Sequence, residues 1–381
     1  MHTQTLTSRL VVVKIGTSSL TTHDGRLDEK EMHALTGQIA EATRQGSKIV
    51  LVTSGAVAAG IAELEISRNS RDIVVKQACA ASGQALLMAK YREFFKPHGI
   101  KVAQILLTAE DLSNRNSYLH TVSVLRKLLE MSVIPIINEN DVTSVDELTP
   151  LGEGYRINFS DNDLLSALVA NAIRADLLII LSDVDGLYTK DPRGDPEAKV
   201  IRIVEAITPE LKSSLAGKGR MGSGGIQSKV RAAEIAIKSG IPVIIANSRR
   251  DRVIPDILSG NEEVGTFFKP KGKMPAVKRW IAYGASVKGQ IFVNKGAKNA
   301  IIEEDSSLLP VGITKVVGRF NSGDVVGIVG EEDKVEFAKG NPNYSSEEIN
   351  MIKGMQISEV RKKIGSAREV VARKKMHITG E

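Results

Sequence analysis

The sequence predicts an α/β protein in which a mostly parallel sheet is sandwiched by helices, followed by a small β-rich C-terminal domain. Three observations predict it. Short β-branched runs without polar alternation recur through roughly the first 250 residues, as strands buried on both faces require. Between them lie segments whose apolar residues fall at three- and four-residue steps, the mark of amphipathic helices. Near Met274 the pattern changes to short alternating runs punctuated by glycine.

The first strand runs from Leu10 to Ile15 and is closed by Gly16. A turn, HDGRLD, leads into a helix over about Asp28–Gln45 with Met32, Leu35, Ile39 and Ala42 on one face. A second strand starts at Lys48, and Ser54-Gly55-Ala56 opens the next helix; a longer one spans Ile73–Phe95. Lys101–Thr108 reads as the third strand, Ser117–Glu130 as a helix, and Ser132–Asp141 as the fourth strand, ending in Asn-Glu-Asn-Asp. Val142–Ser160 is a polar insert. A helix follows, with Ser160 or Asp161 as its cap and Leu164, Leu165, Leu168, Val169, Ala172 and Ile173 as its apolar stripe. The fifth strand begins near Asp176 and the sixth near Ile241. VGTFFKPKGKMP reads as a linker, and beyond it GQIFVNKGA, ITKVVGRF and DVVGIVG read as short strands with an Asn-Ser-Gly turn at 321–323.

Open sheets of this kind bind ligands beyond the carboxyl ends of their strands. Those ends are Lys14-Gly16, Thr53-Gly55, Asn138-Asp141 and Ser182-Asp185, where polar and glycine residues cluster. A second cluster is GKGRMGSGGIQSK, Gly217–Lys229, ahead of a helix marked by Ile226, Val230, Ala233 and Ile237. Two readings stand for it: a phosphate cradle of backbone N–H groups at a helix start, with Lys229 reaching back, or a surface loop capping a helix. Its G-x-G-x-x-G match counts as chance, because no strand precedes it, and the order Ser228-Lys229 does not make a P-loop.

Composition narrows the class. With 42% hydrophobic and 25% charged residues in 381, the chain reads as a soluble globular protein of two or three domains. No apolar run reaches bilayer length and MHTQTLTSRL lacks a signal core, so no membrane association and a cytoplasmic location are expected. The single cysteine, Cys79, reads as core packing. Residues 361–381 hold seven Lys/Arg against two Glu, most of the net charge of +6, and read as a solvated terminal helix in preference to an RNA-binding surface. The six histidines lie away from the strand ends, which disfavours a histidine base; a carboxylate acceptor, already ionised near neutral pH, needs none.

VVVKIGTSSL, IVLVTSGAVAAG, PIINEND, SDNDLLSAL, LSDVDGLYTKDPR and GSGGIQSK occur in the order found in the amino acid kinase superfamily, and together they resemble its glutamate-phosphorylating branch. KRWI, SSLLPVGI and NYSSEEI resemble the PUA domain carried by many members. The resemblance implies a catalytic domain over 1–270 and a PUA-like domain with a basic tail over 271–381. It implies ATP-dependent phosphorylation of the L-glutamate side chain to γ-glutamyl phosphate, the first step of proline biosynthesis, with Mg and feedback by proline. By the same resemblance Lys14, Lys229 and Asp163 are catalytic, Asp163 orienting the two lysines. Lys14 with Ser223, Gly224, Gly225, Ile226, Gln227, Ser228 and Lys229 would handle the ATP phosphates, Ser182 and Asp183 the rest of the nucleotide, and Ser54, Asp141 and Asn162 glutamate. For Asp161 the capping and binding readings stand as equals. No residue is assigned to a metal.

The resemblance further implies a homo-oligomer, dimer or tetramer, and functional coupling to γ-glutamyl phosphate reductase. Ser182, Ser223 and Ser228 stand where threonine is usual and Ile226 where methionine is common, and the insert is longer than in many relatives. Rival acceptors are acetylglutamate, aspartate and uridylate; the polar, non-basic Asn138–Asp141 argues against a nucleotide. A different class of function, RNA binding by the PUA-like domain and tail, stands as the alternative.

Overall fold

The computed structural model describes residues 9–67, 72–144, 162–190, 192, 194–216, 225–272, 274–365 and 367–379. They form two units: residues up to 109 with 120–273, and residues 110–119 with 274–381.

The first unit is built on β1 (Leu10–Ile15), α1 (Thr17–Leu20), α2 (Glu29–Arg44), β2 (Lys48–Val52), α3 (Ala56–Glu63), α4 (Ile73–Phe95) and β3 (Lys101–Leu107). There follow α5 (Ala109–Ser113), α6 (Arg115–Glu130), β4 (Val133–Glu139), α7 (Asn162–Ile173) and β5 (Leu177–Ser182). Residues 110–119 of α5 and α6 group with the second unit. The rest is β6 (Ile203–Val204), α8 (Pro209–Ala216), α9 (Ile226–Lys238), β7 (Val243–Asn247), α10 (Val253–Ser259) and β8 (Thr266–Phe268).

The eight strands lie in the order β3-β4-β2-β1-β5-β7-β8-β6, and every pairing is parallel except β7 with β8. The two strands at the centre of this ordering, β1 and β5, are buried almost throughout. Val11, Val12 and Val13 of β1 are fully buried, with helices on both faces. Each such side chain contributes about 1.5–3 kcal/mol relative to exposure. Helix starts follow local chemistry. Asp28 accepts a hydrogen bond from Glu31 N, Asp72 accepts from Val74 N and Val75 N, and Glu29 with Glu31 meets the positive end of the α2 dipole.

Two helices have special roles. In α7 every residue from Asp163 to Ile173 is buried, the polar Asp163, Ser166 and Asn171 among them, and its first turn projects Asn162 and Asp163 toward the carboxyl end of β1. Helices α3 and α4 cross at Gly60 and Gly83. A Cβ on Gly60 would overlap the Cys79 carbonyl, and one on Gly83 the Ala56 carbonyl. Cys79 is buried at that crossing, as expected of a packing residue.

One local reading is corrected. The segment expected as a linker contains β8, which pairs with β7 and buries Phe268; Thr266-Phe267-Phe268 is apolar enough to complete the sheet before the chain leaves it. Helix α10 and the short β6 were not read from the sequence at all.

The second unit comprises α11 (Ala276–Arg279), β9 (Val287–Val293), α12 (Lys295–Glu303), β10 (Ile313–Val317), β11 (Val325–Gly330) and β12 (Glu336–Gly340). It is completed by α13 (Ser346–Ile352), α14 (Ile357–Ile364) and β13 (Met376–Ile378). Its five strands run β10-β9-β11-β12-β13. Ile291, Val293, Ile328, Ile349 and Met376 are among its core residues. The basic tail is not one solvated helix. After α14 the chain buries Val370 and Val371 and adds β13 to the sheet beside β12, and Arg373, itself largely covered, pairs with Asp305. The apolar residues interleaved with the lysines and arginines decide its course.

Candidate active site

Lys14 is the fifth residue of β1, Asp163 the second of α7 and Lys229 the fourth of α9, and the three meet at the carboxyl end of the sheet. Lys14 Nζ lies 2.5 Å from Asp163 Oδ1 and Lys229 Nζ 3.1 Å from Oδ2. All three are buried; Lys14 is 3% exposed, so the strand-end lysine does not snorkel into water. Ser228 Oγ also donates to Asp163 Oδ2, at 3.1 Å. Burial would raise the Asp163 carboxyl, but the ammonium groups of Lys14 and Lys229 outweigh it and hold it below the ordinary carboxylate range. The result is a fixed pair of cations separated by one carboxylate.

Beside this group lies a row of amides. Asn162 Nδ2 donates to Ser54 Oγ at 2.8 Å and to Asn138 Oδ1 at 3.1 Å, and Asn138 Nδ2 donates to Gln84 Oε1 at 2.9 Å. Ser54 is set from behind. Tyr91, fully buried in α4, places its hydroxyl 2.7 Å from Thr53 Oγ1, which donates to the Ser54 carbonyl at 3.2 Å. Burial raises the Tyr91 phenol and the Thr53 contact only partly offsets it, so Tyr91 stays neutral and serves as a donor. The Asn162 Oδ1 atom is buried with no protein partner among the described residues.

Both groups open on one cavity of about 410 Å³ in the first unit. Lys14, Lys229 and Ser182 line one part, and Ser54, Asn162 and Asp141 also line it. Gly16 and Thr17 contribute the turn after β1, Gly55 and Ala56 the start of α3. Gly55 takes the left-handed conformation, φ +102°, which lets α3 begin directly beyond Ser54.

On the nucleotide side expected from the sequence, Ser182 ends β5 and donates to Asp183 Oδ1 at 3.0 Å. The loop beyond is tied down by Asp185, which accepts from Asn247 Nδ2 and Tyr188 OH, each at 2.9 Å. Those two hydrogen bonds keep the Asp185 carboxyl below its usual range. Gly225 caps α9, followed by Ile226, Gln227 and Ser228 in its first turn. Ser223, Gly224, Asp161 and all but the first three residues of the 142–160 insert lie outside the described residues.

Sequence reasoning thus assembled Lys14, Asp163, Lys229, Ser54, Asn162 and Asp141 at one site, and missed Gln84, Tyr91, Lys76 and Gln77. All four of these sit on α4. Nothing in the helix marks them: Gln84, Tyr91 and Gln77 take their partners from other segments, at Asn138, Thr53 and Ser144, and Lys76 is distinguished only by lining the cavity.

The Amino acid kinase family matches residues 9–247, and the PUA domain matches residues 289–364. Among curated relatives, the Glutamate 5-kinase of Thermoanaerobacter sp. (strain X514) is 44% identical over 357 residues, 93% of each chain. The Glutamate 5-kinase of Caldanaerobacter subterraneus subsp. tengcongensis is 43% identical over 357 residues, again 93% of each. That of Dehalococcoides mccartyi (strain CBDB1) is 43% identical over 360 residues, 93% of this chain and 94% of its own.

Proposed function

The chain belongs to the amino acid kinase family, in its glutamate 5-kinase branch, and from that premise we propose that it transfers the γ-phosphoryl group of ATP to the side-chain carboxylate of L-glutamate. The product is γ-glutamyl phosphate, and the step is the first of proline biosynthesis. The observation that carries the reading is the Lys14–Asp163–Lys229 group beside the Ser54–Asn162 pair in one cavity.

The chemistry needs no base. A carboxylate oxygen of glutamate, ionised near neutral pH, bonds to the γ-phosphorus, and the bond to the β,γ-bridging oxygen breaks, so ADP leaves with the electron pair. Negative charge on the transferring group is met by the ammonium groups of Lys14 and Lys229, held in place by Asp163 before the reaction starts. Ser54 and Asn162 orient the acceptor carboxylate by hydrogen bonds, and Asp141 takes the glutamate ammonium. Ser182, Asp183 and residues 223–229 hold the nucleotide. Among the described residues no cluster of three or more His, Cys, Asp or Glu side chains is placed to hold a metal. On this reading magnesium enters on the nucleotide phosphates, as part of the substrate.

The reading extends to catalysis by residues 1–270 and a PUA-like domain over 271–381. It also includes a cytoplasmic homo-oligomer, dimer or tetramer, inhibited by proline and coupled to γ-glutamyl phosphate reductase. No described helix is long and apolar enough to cross a membrane.

An ATP-dependent hydroxamate assay with glutamate, N-acetylglutamate and aspartate, together with ADP release on uridylate, each with and without proline, tests the acceptor. Hydroxamate is expected from glutamate; activity on N-acetylglutamate and none on glutamate would overturn the assignment. Lys229→Ala is expected to cost roughly 3–4 kcal/mol of transition-state stabilisation, as removal of one donor from a developing negative charge does. Single-turnover rates on a variant shown to be folded measure it, and near-normal turnover would remove Lys229 from the mechanism.

A further inference from the structure

Resting on that functional reading, we infer that Lys76 selects the acceptor by pairing its ammonium with the α-carboxylate of glutamate, the carboxylate that does not react. Lys76 is the fourth residue of α4 and lines the cavity together with Ile73 and Gln77, at helical steps of three and four that put them on one face. This face belongs to the acceptor end. Gln77 Nε2 donates to the Ser144 carbonyl at 2.9 Å, and Ser144 Oγ donates to Glu139 Oε1 at 2.8 Å. These two bonds tie the start of α4 to the turn after β4, which carries Asp141 into the same cavity.

Charge bookkeeping of the ligand supplies the rest. Glutamate carries two carboxylates and one ammonium near neutral pH. Its γ-carboxylate must face the phosphoryl group, so the α-carbon end presents one anion and one cation together. Asp141 suits the ammonium. The described cations lining the cavity are Lys14, Lys76 and Lys229, and two of them are committed to Asp163. Lys76 is solvent-exposed, so its charge pays no burial cost in the empty site and becomes desolvated only when the ligand arrives. A charge-assisted bond formed at that moment discriminates against any acceptor whose α-carboxylate is neutralised.

The test compares L-glutamate with its α-amide, which keeps the reacting γ-carboxylate, as acceptors for the full-length wild type, Lys76→Met and Lys76→Arg. Wild type is expected to favour glutamate in kcat/KM by about 10- to 100-fold, the range of a charge-assisted hydrogen bond. Lys76→Met is expected to raise KM for glutamate by about 10-fold or more, with kcat within about 3-fold and KM for ATP unchanged, and to reduce the preference to within about 3-fold. Lys76→Arg is expected to keep most of the preference. A residue that only props α4 would weaken both acceptors alike, so an unchanged ratio in Lys76→Met overturns the inference. A wild type active on glutamate with that unchanged ratio defeats this inference alone; a wild type inactive on glutamate defeats the functional reading and takes the inference with it.

Discussion

Replacing Asp163 with asparagine is expected to lower kcat by about 10³-fold and to destabilise the protein by about 3–5 kcal/mol. Both effects have one cause. The carboxylate is the shared partner of two buried ammonium groups, and an amide can neither neutralise them nor accept from both with the same strength. The lysines would then repel each other across a low-dielectric site, and the phosphoryl group would meet cations that are no longer aligned. Stability should also change its pH dependence. Because the folded Asp163 carboxyl lies below its unfolded value near 4, its stabilisation is fully present above about pH 4 and is lost as pH falls through the folded value. Urea unfolding across pH 3–8 should therefore show the gap between wild type and variant widest near neutrality and narrowing in acid. A variant with wild-type turnover and an unchanged midpoint at pH 7 would mean that the carboxylate holds neither lysine.

Gly83→Ala is expected to cost about 3 kcal/mol and to raise KM for glutamate by more than about 10-fold, though the residue touches no substrate. The methyl group would strike the Ala56 carbonyl and approach Gly60 N, both main-chain atoms of α3, so no side chain can yield in their place. Helix α3 must move. Its first residues line the cavity directly after Ser54 and Gly55, and the displacement carries the acceptor-binding serine with it. KM for ATP should move less, because Lys14, Asp163 and Lys229 stand on β1, α7 and α9. Thermal melts and steady-state kinetics measure the two effects together. Wild-type stability with wild-type KM for glutamate would show that the crossing tolerates a side chain.

Much of the first unit was legible because its signals are local. A run such as Leu10–Ile15 is long enough to be a strand and apolar enough to be buried on both faces, and α7 reads as a helix from the spacing of its apolar stripe, though its burial all round was not read. Other segments were misread where local signals compete. The tail from 361 to 379 is rich in lysine and arginine, yet Val370, Val371 and Met376 are buried, and they place the chain against the sheet. Thr266–Phe268 looked like a linker because glycine and lysine flank three residues that fit one short edge pairing. On α4 the apolar residues are spread around the helix, so nothing distinguished Gln84, which meets Asn138, from its neighbours.

The sequence was sufficient for strands β1 to β5 and β7, for the longer helices between them, and for the strand ends where polar residues cluster. It was sufficient because periodicity and composition act over a few residues at a time. What folding alone settled is the electrostatic state of the site. Lys14 in an isolated strand could have reached into solvent; it is buried because Asp163 arrives on α7 with the opposite charge, and the same carboxylate takes Lys229 from α9, 66 residues further along the chain. Burying an ammonium is unfavourable until such a partner is in place, and which carboxylate becomes that partner depends on packing between distant segments.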